Sequence, residues 1–152
     1  MNKNIINNSL SSIGAAFLTV AAISSCTLES SNAGAFDGMW HLTAVDTLST
    51  GGTKDMGEEM IFWSFENKLM EADDKSGTHQ SVLLRFNDND GKLTLSNPYA
   101  YDRTNGDKLI TDSTMLMPFG INKLQEEFQI LRNKGGRLEL QSATLKLSFK
   151  RM

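Results

Sequence analysis

The sequence has few of the residues on which many kinds of protein site depend. Its 152 residues include one cysteine, two histidines and two prolines. A single thiol cannot form an internal disulfide, so a disulfide framework is excluded. Neither histidine has a cysteine or a second histidine near it in the sequence, so we expect no zinc site, no other metal site and no cofactor. The two prolines exclude a collagen-like or proline-rich chain.

Catalytic motifs are also lacking. The sequence contains no phosphate-binding loop, no dinucleotide fingerprint and no Gly-x-Ser-x-Gly element. Adjacent carboxylates occur at Glu58-Glu59, Asp73-Asp74 and Glu126-Glu127. Neighbours on a strand point to opposite faces, so these pairs do not form acid/base dyads by themselves. His41 is expected on the outer face of a strand rather than in a catalytic role. Because no combination of nucleophile, base and orienting residue is present in the sequence, we predict that the protein is not an enzyme.

Basic residues are too few and too scattered for a nucleic-acid surface. The formal net charge is −3. Without residues 1–25, which hold one lysine and no acid, 14 basic residues face 18 acidic ones, a net charge of −4. Nucleic-acid binding depends on basic groups facing phosphates, and here only Lys150-Arg151 form an adjacent basic pair. We therefore expect no nucleic-acid partner.

The first 25 residues have the pattern of an export signal. Residues 10–23 are apolar and small, a run too short for a permanent membrane span, which needs about 20 residues. The run ends in Ile23-Ser24-Ser25-Cys26, which resembles the signal of bacterial lipoproteins. The resemblance implies cleavage before Cys26, a diacylglycerol thioether on its sulfur, and acylation of the new amino group, as with palmitate. The alternative is that Cys26 is a free core cysteine of a cytosolic protein.

The sequence divides into three parts on this basis. Residues 1–25 are the predicted lipoprotein signal peptide, 26–35 a flexible tether, and 36–152 one folded domain. Several acyl chains on Cys26 give a stable membrane anchor. Thr27 does not resemble an inner-membrane retention signal. We therefore expect an outer membrane lipoprotein, on the periplasmic or the cell-surface side.

The folded part alternates apolar and polar residues with the period of strands. An Asp-Gly pair at residues 90–91 and a Gly-Gly pair at 135–136 are typical of tight turns. Asn122 and Gln125 have capping-box spacing, which predicts one helical turn. Such a pattern indicates an antiparallel sandwich or barrel with little helix. The predicted strands are 38–46, 59–66, 69–72, 79–86, 92–96, 127–132, 137–141 and 144–150, with a short one at 108–111.

The stretch Gly38-Met39-Trp40-His41-Leu42 carries a family resemblance. Its Gly-x-Trp-x-Leu resembles the start of the first strand in the lipocalin and fatty-acid-binding superfamily. Residues 138–142 and 145–150 resemble the ending of lipocalin-like lipoproteins of the Bacteroidota. The resemblance implies an all-β, single antiparallel up-and-down barrel of about eight strands over 36–152, with the tryptophan across its closed end. It also implies an arginine that stacks on the tryptophan, for which Arg137 or Lys150 could stand in.

The same resemblance implies a binding module, and six apolar residues are candidates to line its barrel interior and mouth. A small hydrophobic ligand would lie among methionines, which adapt to irregular shapes, and aromatic rings. The alternative is that these residues simply fill the core, because an eight-stranded barrel is just wide enough for side chains to fill. The candidates are Trp40, Trp63, Phe86, Met115, Met117 and Phe119.

Two functions follow from these observations. The first is a lipid-anchored envelope binding protein that holds a small hydrophobic ligand in its barrel. The second is a structural or accessory subunit of an outer-membrane protein assembly, without a small-molecule ligand. Residues 60–63 are apolar at successive positions, so both faces of that strand are apolar, and the second function would use the surface Glu59–Phe65 against an envelope protein partner.

Overall fold

The computed structural model describes residues 33–152. The predicted signal peptide, Cys26 and the predicted tether up to residue 32 lie outside the described residues. Two 3₁₀ segments, Gly34–Phe36 and Ser113–Phe119, accompany the strands. The strands are β1 (Gly38–Thr47), β2 (Gly52–Asp55), β3 (Ile61–Glu66), β4 (Leu69–Asp74), β5 (Val82–Asn89), β6 (Lys92–Ala100), β7 (Lys108–Leu109), β8 (Glu126–Lys134), β9 (Arg137–Gln141) and β10 (Leu145–Arg151).

Eight of these strands close into an antiparallel barrel in the order β1-β3-β4-β5-β6-β8-β9-β10, and β10 pairs back with β1. The closing pair runs from Trp40 opposite Arg151 to Thr47 opposite Leu145. Apart from β2 and β7, each strand follows its spatial neighbour in the chain, which is up-and-down topology. The predicted all-β barrel of about eight strands is therefore confirmed.

The alternation of side chains decides which face of each strand is buried. On β1, Trp40 and Leu42 are buried while His41 between them is partly exposed. On β9, Leu138 and Leu140 are fully buried between partly exposed neighbours. Successive side chains of a strand point to opposite faces, so one residue set fills the barrel and the other faces outward.

The two ends of the barrel differ in how they connect strands. At the end where β1 begins, which we call the base, two residues suffice for each hairpin: 67–68, 90–91 and 135–136. Asp90 and Gly91 have φ of 51° and 75°, as a tight primed turn requires. The Asp-Gly hairpin signal is thus confirmed. The opposite, upper end carries the long connections, including residues 101–125 between β6 and β8.

Strand β2 was not predicted, and it lies between the predicted strands 38–46 and 59–66. β3 pairs only with Gly38–His41 of β1. The later half of β1 therefore has a free edge, and Gly52–Asp55 pairs with it from Ala44 to Thr47. All four side chains of β2 are exposed, so no apolar alternation announced the strand.

The helical turn predicted at Asn122 and Gln125 is also wrong. The carboxylate that reaches back belongs to Glu126, whose Oε2 accepts hydrogen bonds from the backbone N–H of Asn122 (2.5 Å) and of Lys123 (3.2 Å). The segment between them bends without forming a helix. The helical segment lies earlier, at Ser113–Phe119, and we call it the plug.

The plug begins and ends at residues suited to those places. The Asp112 carboxylate accepts a hydrogen bond from the N–H of Thr114 (2.9 Å), which caps the first turn. Gly120 ends it with φ of 81°, and a Cβ there would lie 2.8 Å from Leu147 Cδ2. Only glycine fits both the backbone conformation and this close approach. The plug is thereby held tightly against the inside of β10.

Candidate functional site

The barrel interior is filled by aromatic side chains around Trp63. Its side chain is 0% exposed, and its indole Nε1 donates a hydrogen bond to the carbonyl of Phe119 (3.1 Å). The ring centroid lies 4.8 Å from that of Phe149 and 5.9 Å from that of Phe128. Since Phe119 is the last residue of the plug, this contact fixes the plug inside the upper end.

At the base, Trp40 packs under the first described residues. Its Nε1 donates to the carbonyl of Phe36 (2.8 Å), and Phe36 is itself buried, 5.1 Å between ring centroids from Phe65. A polar N–H is thus satisfied at a site with little water. Trp40 and Phe36 together cover the base.

The residue that stacks on Trp40 is Arg151, so the expectation of Arg137 or Lys150 is wrong. The guanidinium carbon of Arg151 lies 5.5 Å from the Trp40 ring centroid, and its Nη2 donates to the carbonyl of Asp37 (2.6 Å). Arg151 stands opposite Trp40 in the β1–β10 register, which neither alternative does. The arginine could not be identified from the sequence because the register between β1 and β10 was not known.

Gly38 of the Gly-x-Trp motif has a steric role in the same contact. Its φ is +103°, and a Cβ would lie 3.3 Å from Nη2 of Arg151. A side chain at this position would therefore strain the backbone and push the guanidinium away from Trp40. The motif thus builds the base of the barrel.

The six predicted lining residues separate into two groups. The four aromatic residues are buried in one continuous core. Met115 and Met117, on the plug, are 42% and 55% exposed, so they lie outside that core. The aromatic candidates therefore belong to the packed interior. Contact of a ligand with any of the six stays a prediction. The buried four are Trp40, Trp63, Phe86 and Phe119.

Beside the plug lies a concave site of about 350 Å³, which we call the upper cavity. Its floor is apolar, since Ala100 and Ile110 are buried and Leu109 and Met115 stand at its edge. Polar groups surround this floor. The lining residues are Gln80, Ala100, Asp102, Lys108, Leu109, Ile110, Thr111, Asp112 and Met115.

The rim of the upper cavity carries fixed charges. Hydrogen bonds from Asn105 and from the backbone of Thr104 hold the pKa of Asp102 below its usual value. The N–H of Thr114 does the same for the pKa of Asp112. Both carboxylates are therefore ionised at neutral pH, and Lys108 places a positive charge on the same rim.

Within residues 33–152, no group of three or more histidine, cysteine, aspartate or glutamate side chains is arranged to hold a metal ion. His41 instead makes a structural contact, with its Nε2 2.7 Å from the Glu59 carbonyl and its ring stacked on Phe62 at 4.8 Å. This contact explains why β3 is apolar on both faces. Trp63 fills the barrel, while Phe62 is buried on the outside beneath His41.

The predicted partner surface Glu59–Phe65 consequently exposes one large apolar side chain, Met60, at 47%. Five further exposed apolar side chains lie at the upper end, in connections and short segments, while others such as Leu69 and Leu131 lie singly on the barrel strands. We call Met60 together with the five at the upper end the apolar rim. Sequence reasoning missed it because its members come from five separate segments with no shared period. It comprises Leu48, Met60, Leu109, Met115, Met117 and Leu124.

No helix formed by residues 33–152 has the length and apolar character to cross a membrane.

Comparison with known proteins places this barrel among relatives. The sequence model of the Lipocalin-like domain family matches residues 21–152. No curated protein is significantly similar to the chain in sequence. A lipocalin-like protein from Bacteroides uniformis ATCC 8492 superposes with a TM-score of 0.59 at 15% identity, covering 78% of this chain and 100% of that one. An uncharacterized protein from Bacteroides eggerthii DSM 20697 gives 0.56 at 14% identity, covering 77% and 99%. At this level of identity the structures share a fold.

Proposed function

The chain belongs to the Lipocalin-like domain family, and we propose that it is a binding protein that takes a small hydrophobic ligand at the upper end of its barrel. The observation that carries the proposal is the upper cavity, an apolar floor beside a plug that bears two exposed methionines. Ligand sites of small proteins are usually apolar concavities with a few fixed polar groups, and this cavity has that composition. Its volume of about 350 Å³ suits a small molecule.

The filled interior favours this position over the barrel axis. A ligand deep in the barrel would have to displace the Phe119 ring and break the 3.1 Å hydrogen bond from Trp63 to the Phe119 carbonyl. A ligand in the upper cavity displaces neither. It would contact Met115, whose unbranched thioether adapts to irregular apolar shapes. The charged rim would hold the polar end of an amphiphilic ligand.

The proposal includes a lipid anchor on Cys26 and attachment to the outer membrane. Its support is the sequence pattern before Cys26, together with the position of Ala33, which leads into the 3₁₀ turn at the base. The chain between Cys26 and Ala33 spans at most about 25 Å even when fully extended. The base would therefore face the membrane and the upper cavity would point away from it.

A binding role without catalysis is part of the same proposal. The upper cavity is lined by carboxylates, a lysine and a threonine, but by neither of the two described histidines. A threonine hydroxyl needs an adjacent base to become a nucleophile. Both carboxylates are committed to capping backbone N–H groups, Asp102 at Thr104 and Asp112 at Thr114.

Titration of the soluble protein, residues 27–152, with N-phenyl-1-naphthylamine tests this function. Fluorescence should rise to saturation with the wild-type protein. Met115→Asp should weaken binding at least tenfold, because a charge would be placed on the apolar edge of the cavity. Met117→Asp is the matched control, since Met117 lies on the same plug outside the cavity lining, and its binding should stay within twofold. No saturable signal, or equal loss in both variants, would contradict the proposal.

The apolar rim favours a second candidate function, an accessory subunit of an outer-membrane assembly. Six exposed apolar side chains at the end away from Ala33 would meet a protein partner rather than the lipid. Affinity purification from the envelope with Met60→Glu/Leu109→Glu should then lose a partner that the wild-type protein retains. Leu131→Glu, at an exposed position near the base, is the control. Identical partner sets for all three proteins would eliminate this function.

A further inference from the structure

The outer wall of the barrel carries a second concave site, of about 580 Å³, which we call the glutamine cavity. The chain has four glutamines, and Gln125, Gln129 and Gln141 line this cavity. Gln129 of β8 stands directly opposite Gln141 of β9 in the register. Side chains of such a pair lie about 5 Å apart at Cβ, so the two amides project together from the wall. Gln125 approaches from the connection before β8.

These side chains keep their hydrogen-bonding capacity. Among residues 33–152, the amides of Gln125, Gln129 and Gln141 and the hydroxyl of the lining residue Thr94 make no hydrogen bond to another protein group. Each amide offers two donors and an acceptor, and the hydroxyl offers both as well. The wall therefore presents both donors and acceptors that are not used within the protein.

Glu126 adds a buried acceptor. The residue is 3% exposed, and its Oε2 already accepts two backbone hydrogen bonds, from Asn122 and Lys123. Its other oxygen, Oε1, has no hydrogen-bond partner among the described residues. Every fully buried side-chain oxygen of those residues does have a partner, so Oε1 is not fully buried. Oε1 therefore keeps some access to solvent, and Glu126 is one of the residues that line the cavity. A carboxylate oxygen held in this way accepts a hydrogen bond from a hydroxyl group.

The local charges favour a neutral ligand. Glu127 is paired with Lys92, at 2.8 Å between Nζ and Oε1. The remaining charges on the lining, the carboxylate of Glu126 and the ammonium of Lys123, have opposite signs. Neither an anion nor a cation would meet a net complementary charge. The lining includes one apolar side chain, Ala143, so an oily ligand would find little to contact.

We propose that the glutamine cavity binds a neutral sugar, with ring hydroxyls donating to Glu126 Oε1 and exchanging hydrogen bonds with Gln125, Gln129 and Gln141. Paired amides and a carboxylate acceptor match the vicinal hydroxyls of a pyranose, each of which both donates and accepts. The volume accommodates one or two such rings. This site shares no lining residue with the upper cavity, so sugar binding here can be tested independently of hydrophobic-ligand binding there.

The test is a glycan array that spans neutral hexose and pentose oligosaccharides together with uronate- and sialate-containing ones. The soluble protein of residues 27–152, which contains every strand of the barrel, is applied to it. We expect a neutral glycan to bind. Isothermal titration calorimetry with that glycan then measures its affinity for the wild-type protein and the variants.

Gln129→Ala/Gln141→Ala should weaken binding at least tenfold, because both residues lie on the outer wall and the barrel core is untouched. Gln80→Ala is the matched control, since Gln80 is the remaining glutamine and lies at the upper cavity, and its affinity should be unchanged. Glu126→Gln should weaken binding at least fivefold, with circular dichroism to establish that the barrel is intact.

Three results would overturn the proposal. An array without any neutral glycan bound removes the ligand class. Binding restricted to acidic glycans refutes the charge argument. A neutral glycan that binds the double glutamine variant as tightly as the wild-type protein occupies a different site.

Discussion

Replacement of Trp63 by alanine tests whether the barrel interior is filled, on which the position of the ligand site depends. The side chain is fully buried and packs against Phe128 and Phe149. Loss of a buried tryptophan costs about 3–5 kcal/mol through lost packing and the cavity that remains. The Phe119 carbonyl also loses its donor, which adds about 1 kcal/mol. We expect Trp63→Ala to lower the free energy of unfolding by about 4–6 kcal/mol.

Urea unfolding followed by the fluorescence of Trp40, the other tryptophan, measures this change. Domains are stable by about 5–15 kcal/mol, so the alanine variant could unfold altogether. Trp63→Phe keeps most of the volume and removes the N–H donor, and it should lose about 2–3 kcal/mol. Met117→Ala, at an exposed position of the plug, is the control and should stay within about 0.5 kcal/mol of wild type.

Indole provides the decisive comparison. Apolar cavities made by truncation stay dry and bind small aromatic molecules. Indole at ten times its dissociation constant should stabilise Trp63→Ala by about 1.4 kcal/mol through mass action. The wild-type protein should gain nothing, because the buried side chain of Trp63 already occupies that space. The reasoning is refuted if Trp63→Ala costs less than about 1 kcal/mol, or if indole stabilises the wild-type protein equally.

Two further predictions concern single contacts. Arg151→Ala should cost about 1–2 kcal/mol in urea unfolding, because it removes both the cation over Trp40 and the donor to Asp37, and Arg151→Lys should recover only part of the loss. Burial raises the pKa of Asp74, but hydrogen bonds from Ser76 and from the N–H of His79 outweigh this and hold the pKa below its usual value. A carboxyl with a lowered folded-state pKa contributes stability above its unfolded value and loses it as pH falls through the folded value. Asp74→Asn should therefore lower the free energy of unfolding at pH 7 and reduce the loss of stability below about pH 4. Urea unfolding at several pH values would measure both effects. A variant whose stability falls with acid as steeply as that of the wild-type protein would contradict this.

The barrel strands were predictable because burial on one face imposes a period of two on the sequence. β9 occupies residues 137–141, the predicted bounds, since Leu138 and Leu140 alternate with outward neighbours. The tight turns at 90–91 and 135–136 were predictable for a similar reason, because their backbone conformation demands particular residues. Local rules sufficed where the cause was local.

The errors occurred where the cause was distant in the chain. β2 forms because β3 leaves part of one edge of β1 unpaired, and the sequence of Gly52–Asp55 carries no sign of this. Arg151 rather than Lys150 meets Trp40 because of the register between β10 and β1. Residues 115–119 of the plug are apolar in succession and have no period that predicts an element, since the position of the plug depends on Trp63 and Leu147 across the barrel.

The candidate sites were less predictable than the fold. The upper cavity and the apolar rim draw residues from several connections, whose sequences carry no periodic signal. The glutamine cavity depends on Gln129 and Gln141 being opposite one another on adjacent strands. In sequence they are ordinary polar residues on outward faces. Only pairing brings them together.

Closure of the sheet by β1 and β10 has a consequence for the order of folding. The hydrogen bond from the Thr43 hydroxyl to the Ser148 carbonyl joins residues 105 positions apart, so the barrel's final seam is among its most distant contacts. Such long-range pairing makes folding slow compared with local hairpins. Until β10 of a nascent chain has left the ribosome, β1 and β9 have open edges, which are prone to pair with other chains. A barrel of this topology is therefore completed only after synthesis has passed β10.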